Sequence, residues 1–231
     1  MQDTAWSRAY EKYKDYFDGM QAIKRQLADK TIPEEYPIGV SEWIPFRKEN
    51  NIDRNDFINI SSFALVSNRW VKPLAEYVKQ TKCLEIMAGR GVLAKALNQQ
   101  GTDIVATDDF TWVWNNNTTE QEGKTLTEND LWFDVENIGC IDAIKKYGNE
   151  VGYLICSWPN MNESMYEALV EMRIVNTSCK LIYIGEGIGG FNASDSFFKT
   201  ARLIKNDEHF NDVARLYQSW TGIDDSIYLV K

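Results

Sequence analysis

Two glycines and two acids near the middle of the chain have the types and spacing of a ligand-binding turn. Glu85 lies in a short apolar run, Gly89 and Gly91 follow it, and Asp108 ends the next apolar run. Glycine lets a backbone approach a ligand closely and adopt left-handed angles. An acid at the end of a strand can accept hydrogen bonds from ribose hydroxyls. The pattern therefore favours a nucleotide-like ligand, although the glycines alone would also suit an ordinary turn.

Residues 81–109 supply the elements that must position these side chains. Residues 83–87 have the composition of a buried strand, and Gly101 ends the helix-period segment that follows. Residues 104–107 predict a second strand. Strand, glycine turn, helix and strand make a βαβ unit, so we expect both acids and both glycines near the carboxyl edge of a parallel sheet.

Apolar runs and helix-period segments continue to alternate downstream. Residues 130–141 are weakly strand-like, 151–157 and 180–184 predict buried strands, and 212–220 and 226–230 predict two last strands. Helices are expected between them, over 161–176 and 195–206. The predicted fold class is therefore α/β, with a mostly parallel sheet and flanking helices.

The first 80 residues predict a helical cap and a connector packed on this core. Residues 4–28 form one helical pattern whose apolar stripe is Trp6, Tyr10, Tyr13, Phe17 and Met20. We favour packing across the domain for this stripe; a homodimer seam and a wall of the substrate pocket stay open. Residues 31–68 are expected to be irregular and 69–80 helical. The predicted division is 1–80 for the cap and connector and 81–231 for the ligand-binding domain.

Composition narrows the function classes. The formal net charge of −9 argues against a broad nucleic-acid-binding surface. No apolar run approaches the length of a membrane span, and the first residues lack a signal-peptide core. Four separated cysteines and a single histidine predict buried free thiols and no metal site. We therefore expect a cytoplasmic protein.

From about residue 82 onward, the chain resembles the class I, Rossmann-like, S-adenosylmethionine (SAM) dependent methyltransferases. The family's first motif is acid-x-G-x-G-x-G, and residues 85–91 match it except at Met87. The resemblance implies a seven-stranded sheet that ends in an antiparallel strand pair, and SAM or S-adenosylhomocysteine (SAH) as bound cofactor. It also implies a set of cofactor-binding residues: Glu85, Met87, Ala88, Gly89, Gly91, Asp108, Asp109, Asp142 and Ala143.

The resemblance also assigns these residues separate roles. The SAM amino acid end would lie on the glycine turn, Asp108 would bind the ribose and Asp109 the adenosine, and Asp142 with Ala143 would lie beside the adenine. Met87 in place of glycine implies a less close approach of the backbone to the methionine part of SAM.

A second part of the resemblance concerns the methyl acceptor. Ser157-Trp158-Pro159 and Gly185-Glu186-x-x-Gly189-Gly190 are similar to signatures of a less characterised methyltransferase-like group. The resemblance implies that Ser157, Trp158 and Pro159 line the transfer channel and that Glu186 is a base or substrate anchor, although Glu186 would equally suit a solvated loop. Asn160 departs from the N-P-P-Y-like motif of amino-methyltransferases, so a small molecule or protein is the expected acceptor rather than a nucleic acid base.

Three function classes remain open at this stage. The first is an active methyltransferase, and the second is a SAM-binding sensor or sequestering protein without methyl transfer. The third is a nicotinamide-dependent enzyme, because residues 185–190 also fit G-x-G-x-x-G. No strand ending in an acid follows about 20 residues later, which disfavours the third class. Trp112 and Trp114, after the second strand, are candidates to close over a ligand.

Overall fold

The structure is a computed structural model that describes residues 5–111 and 128–231. The predicted tryptophan pair, Trp112 and Trp114, lies outside the described residues, and so does the side chain of Trp6. Within the described ranges, eight α-helices surround one sheet. They are α1 (Ala5–Ala28), α2 (Arg54–Ile60), α3 (Asn68–Tyr77), α4 (Val92–Gln99), α5 (Cys140–Tyr147), α6 (Ser164–Val175), α7 (Asp195–Thr200) and α8 (Glu208–Ala214).

The sheet has six strands in the order β3-β2-β1-β4-β5-β6 across the described chain. They are β1 (Cys83–Ile86), β2 (Ile104–Asp108), β3 (Val135–Asn137), β4 (Tyr153–Ser157), β5 (Lys180–Glu186) and β6 (Asp225–Val230). All neighbours are parallel except β5 and β6, which are antiparallel. The strand order reverses between β1 and β4, which is where Rossmann-like sheets bind ligands. The predicted α/β class, the mostly parallel sheet and the C-terminal antiparallel pair are confirmed.

The expected seventh strand at 212–220 is wrong, because helix α8 occupies its first part. The Asp207 carboxylate accepts a hydrogen bond from the backbone N–H of Phe210 and so caps this helix. Phe210 and Val213 lie one helical turn apart, and both are buried. The cap and this helical spacing outweigh the strand preference of the aromatic residues that follow. A single antiparallel bridge between Leu203 and Val230 is all that extends the sheet beyond β6 among the described residues.

The N-terminal region packs into the same hydrophobic core as the sheet. The predicted first helix is confirmed as α1, and Phe17 and Met20 of its stripe are buried. The connector is more regular than expected, because α2 forms within it and is capped by the Asp53 carboxylate on the backbone N–H of Asn55. Helix α2 lies over the carboxyl edge of the sheet, where the Arg90 guanidinium donates to the carbonyl of Ile58. The division at residue 80 itself stays a prediction.

Candidate active site

The loops at the carboxyl ends of three neighbouring strands carry unusual backbone angles. Met87 follows β1 at φ 52°, Phe110 lies just beyond β2 at φ 56°, and Trp158 follows β4 at φ 56°. Left-handed angles are uncommon for large L-residues and cost on the order of 1–3 kcal/mol each. Such strain concentrates at functional sites. Strands β1 and β4 flank the reversal of strand order, and β2 adjoins β1, so this edge is the candidate site.

The two glycines of the turn after β1 serve different purposes. Both are left-handed, at φ 57° for Gly89 and φ 75° for Gly91. A Cβ atom on Gly91 would lie 2.7 Å from Val135 Cγ2, so the segment before and into β3 packs directly on it. A Cβ atom on Gly89 would meet nothing within 4 Å. Gly91 is therefore required by packing, and Gly89 faces open space that a ligand can enter.

Met87 occupies the position of the first motif glycine with a glycine-like backbone angle. Its side chain is partly buried against the second hydrophobic cluster of the molecule, which includes Leu84 and Ile86. The turn therefore keeps the backbone path that a glycine would allow, at the cost of left-handed strain in an L-residue. The departure from the motif changes the side chain at this position more than the course of the backbone.

We expect Met87→Gly to be more stable than Met87→Ala by about 1 kcal/mol, because only the alanine variant keeps a Cβ in the left-handed region. Both variants lose the packing of the methionine side chain beyond Cβ, so chemical denaturation of the pair measures the effect of the Cβ on the backbone. The matched control is Glu167, exposed within helix α6. There alanine should be more stable than glycine. If alanine were more stable than glycine at position 87 as well, the backbone at residue 87 would not be strained.

Asp108 joins the turn after β1 to the loop after β2. Its Oδ2 accepts a hydrogen bond from the Gly89 backbone N–H at 2.7 Å, and its Oδ1 accepts one from the Phe110 backbone N–H at 2.6 Å. The residue is only 4% exposed. Each carboxylate oxygen can accept more than one hydrogen bond. Asp108 therefore fixes both the glycine turn and the loop after β2 at the carboxyl edge.

Glu85 lies beneath the same turn, 1% exposed on strand β1. Burial raises the pKa of its carboxyl group to about 8, opposed by the backbone N–H of Ala94 and assisted by the charge of Asp108. Ala94 belongs to the first turn of α4, so Glu85 interacts with the amino end of that helix. Its Oε2 has no hydrogen-bond partner. A buried carboxyl group with an unpaired oxygen is costly and marks a candidate functional group.

The other predicted cofactor residues are placed less centrally. Asp109 is exposed, and its Oδ1 accepts hydrogen bonds from the backbone N–H and the hydroxyl of Thr111. Ala88 lies in the turn, where its N–H donates to the carbonyl of Thr107. Asp142 is exposed in the first turn of α5, whereas Ala143 is fully buried in the core. Adenine contacts by Asp109 and Asp142 stay predictions; the Ala143 side chain has no accessible surface for one.

Strand β4 ends in the predicted Ser157-Trp158-Pro159 segment, next to β1 across the strand reversal. The Trp158 backbone N–H donates to the carbonyl of Ile184 at 2.7 Å, which ties the loop to β5. The Trp158 indole Nε1 donates to Asp225 Oδ2 at 2.9 Å. The structure therefore brings Trp158 to the carboxyl edge beside the glycine turn and orients its ring with an acid from β6.

Glu186 lies at the end of β5, but its own loop uses its carboxylate. Its Oε2 accepts a hydrogen bond from the Phe191 backbone N–H at 2.8 Å, and its backbone N–H donates to Asn192 Oδ1. The residue is only 7% exposed. These contacts organise residues 186–192. A role of Glu186 as base or substrate anchor stays a prediction. In the described structure no helix starts on the G-x-G-x-x-G segment at 185–190.

Four residues that sequence reasoning did not assign to the site surround Trp158. The Tyr217 hydroxyl donates to Asp225 Oδ2 at 2.6 Å, the Phe63 ring stacks on the indole at 5.7 Å, and the Arg54 guanidinium lies 4.9 Å from the indole centre. The only sequence signals were an acid at the start of the last strand and an aromatic residue in the connector. Nothing in the sequence pointed to Arg54.

The described part of the chain contains no group of three or more histidine, cysteine or acidic residues placed to hold a metal ion. Its four cysteines are free, and three of them, Cys83, Cys156 and Cys179, are buried. None of the described helices combines the length and apolar character needed to cross a membrane.

No protein-family model matches the sequence, and no curated protein matches it either. Solved structures with a similar arrangement include a mutant of MtNAS (13% identity, TM-score 0.41, covering 100% of this chain and 78% of that one). TehB from Haemophilus influenzae shares 11% identity at a TM-score of 0.38, covering 78% and 67%. Human N-acetylserotonin methyltransferase in complex with SAM shares 13% identity at a TM-score of 0.40, covering 92% and 66%. Overlaps this loose carry no inference about the function of this chain.

Proposed function

We propose that this protein is a SAM-dependent methyltransferase that acts on a small molecule or a protein. The observation that carries the proposal is the turn after β1, where Asp108 holds the Gly89 N–H at 2.7 Å above a buried, incompletely paired Glu85. The turn lies beside the reversal of strand order, the ligand position of doubly wound sheets. Motif, strained backbone and buried acid therefore coincide at one edge.

The residues present fit the cofactor in two ways. The Cβ direction of Gly89 is open, which leaves room for the amino acid end of SAM against the turn. Asp108 lies at the end of β2, where its carboxylate would also bind a ribose hydroxyl. Glu85 supports the turn and the amino end of α4 from below. When bound, SAM would supply an electrophilic methyl group on a sulfonium, so the protein has to position the reactants and exclude water.

On the acceptor side, Trp158 is the residue best placed to line the transfer channel. It follows β4, the strand that neighbours β1 in the sheet. Its ring is held from one side by Asp225 and from the other by the stacked Phe63. Ser157 and Pro159 flank it on the same loop. These residues would orient the acceptor toward the space above the glycine turn.

Calorimetry with SAM, SAH and NAD tests this proposal. We expect micromolar binding of SAM and SAH and no binding of NAD, because in the described chain the 185–190 segment opens no helix and is not followed by a strand that ends in an acid. Binding of NAD alone would favour the nicotinamide class. Absence of all three would mean that the fold persists without its cofactor site.

A SAM sensor without methyl transfer is the second candidate, because the cofactor turn would be identical in both. Incubation with methyl-labelled SAM and candidate acceptors separates them. Transfer of label identifies an enzyme, whereas tight binding with no transfer to any acceptor supports the sensor.

Location and assembly are further parts of the proposal. Free buried thiols suit a reducing compartment, which supports a cytoplasmic protein. Phe17 and Met20 are buried within one chain, so a homodimer through α1 would have to use the less buried Tyr10 and Tyr13.

A further inference from the structure

A cluster of charged and aromatic side chains lies beside the proposed cofactor turn, above strands β4, β5 and β6. We define it as the Trp158 cluster: Arg54, Phe63, Trp158, Glu186, Tyr217 and Asp225. Asp225 pairs with Glu186 in the register of β5 and β6, so two buried acids are neighbours. The guanidinium of Arg54, from helix α2 of the N-terminal region, interacts electrostatically with both acids.

Asp225 is held firmly through one oxygen and left incomplete at the other. Its Oδ2 accepts hydrogen bonds from Trp158 Nε1 at 2.9 Å and from the Tyr217 hydroxyl at 2.6 Å. Burial raises the pKa of Tyr217 well above its ordinary value, with a further contribution from Asp225, so the hydroxyl stays a donor. Asp225 Oδ1 is buried without a partner, in a residue only 7% exposed. A buried carboxylate oxygen of this kind is stabilised by a hydrogen-bond donor, and no described residue of the protein provides one.

Arg54 presents the complementary deficiency. Its Nε and Nη2 are buried and have no hydrogen-bond partner, and it forms no ion pair with any acid in the described chain. Burial lowers the pKa of its guanidinium, and the charges of Asp225 and Glu186 oppose that shift. Arginine remains charged in proteins, and its N–H groups suit a carboxylate geometrically. An anionic group that accepted hydrogen bonds from these N–H groups would therefore stabilise the buried guanidinium.

The Trp158 indole lies between the unpaired N–H groups of Arg54 and the unpaired oxygen of Asp225. It contacts Arg54 through its face at 4.9 Å and Asp225 through Nε1. A ligand with a carboxylate and an N–H group a few bonds apart would satisfy both side chains at once. A positively charged N–H group also suits the formal excess of acids over bases in the cluster better than a neutral hydroxyl. The half-exposed Phe63, at 47%, offers an apolar face beside them.

We infer that Arg54 and Asp225 form the acceptor subsite and that the acceptor is a small zwitterion of the amino-acid type, its carboxylate on Arg54 and its ammonium group on Asp225. The identification of this ligand as the methyl acceptor rests on the proposed function. The binding of a zwitterion does not depend on it.

Two variants test the subsite through binding rather than activity. Arg54→Gln removes the guanidinium, and Asp225→Asn keeps an oxygen for Trp158 and Tyr217 but replaces the unpaired acceptor. The probes are the twenty L-amino acids, titrated one at a time into SAH-saturated protein, with the decarboxylated amine and the deaminated acid of each binder for comparison. We expect at least one amino acid to bind, and each variant and each truncated probe to weaken that binding about tenfold or more.

The matched control is an exposed pair with the same chemistry, Arg215 and Asp212, joined at 2.7 Å on the surface at α8. Arg215→Gln and Asp212→Asn should bind the same amino acid as wild type does. Affinity for SAH and the unfolding midpoint of all four variants show whether the fold and the glycine turn survive. We expect SAH affinity within about twofold of wild type, since Arg54 and Asp225 make none of the contacts of that turn.

The outcomes separate the two proposals. Binding of SAH without binding of any amino acid would overturn the acceptor subsite and leave the cofactor proposal intact. Amino-acid binding that Arg54→Gln and Asp225→Asn do not weaken would also overturn it. Amino-acid binding that depends on both residues, measured without SAH because SAH does not bind, would sustain the zwitterion site and reject the methyltransferase. A variant that loses its unfolding transition is replaced by Arg54→Lys or Asp225→Glu, which keep charge but shift its position.

Discussion

Replacing Asp108 with alanine is expected to weaken binding of SAM and SAH by about a hundredfold or more. The carboxylate accepts hydrogen bonds from the backbone N–H groups of Gly89 and Phe110, and it would also bind the ribose. Each buried donor left without a partner costs on the order of 1–3 kcal/mol, and tenfold in affinity corresponds to about 1.4 kcal/mol. Loss of the two contacts releases both loops and removes the ribose acceptor together.

Asp108→Asn sharpens the experiment, because an amide keeps the size of the side chain but has only one acceptor oxygen. One of the two backbone N–H groups would then face the amide NH2, so we expect an intermediate loss of affinity. The control is Asp103→Ala, because Asp103 is an exposed acid immediately before the first residue of β2. Calorimetry with SAH measures all three. Wild-type affinity in Asp108→Ala would remove the cofactor assignment.

Replacing Glu85 with glutamine is expected to abolish a loss of stability that the wild-type protein shows as pH rises. Burial raises the pKa of this acid to about 8 in the folded protein. Between the ordinary value and about 8, the folded state binds more protons than the unfolded state, so the free energy of unfolding falls as pH increases. One unit of pKa corresponds to about 1.4 kcal/mol, so the expected loss is a few kcal/mol.

Denaturant unfolding at pH 5, 7 and 9 measures this effect. At pH 5 the two proteins should be close in stability, because Glu85 is then protonated and resembles an amide. At pH 9 Glu85→Gln should be the more stable protein. Glu167→Gln, at an exposed position on α6, should keep the wild-type pH dependence. Parallel curves for wild type and Glu85→Gln would show that Glu85 is charged without penalty in the folded state.

The two experiments separate the functions of the two motif acids. Asp108 lies at the carboxyl edge and contacts the turn itself, so its removal should act first on ligand affinity. Glu85 lies below the turn, against the amino end of α4, so its removal should act first on stability. The sequence motif predicts that both acids bind the cofactor, whereas in the structure Asp108 contacts the turn and Glu85 lies below it.

Local sequence determined the elements that follow one another closely. The βαβ unit was predictable, because its strands are short apolar runs, its helix has a clear period and its turn carries two glycines, Gly89 and Gly91, with left-handed backbone angles. The two motif acids were predictable for the same reason, since each lies at or near the end of a strand. The helix α1 followed from a single apolar stripe.

Only the tertiary structure decided which distant residues meet at the site. Arg54 lies in the connector, whose sequence shows no periodicity, and Asp225 is the first residue of β6, far from Arg54 in the sequence. Both nevertheless contact the indole of Trp158. Long-range contacts of this kind depend on how the sheet orders its strands and how α2 packs over its edge. Single side chains carry no local signal of such partners. The expected seventh strand was wrong for a different reason, because the local cap by Asp207 and the helical spacing of the buried Phe210 and Val213 outweighed the strand preference of residues 212–220.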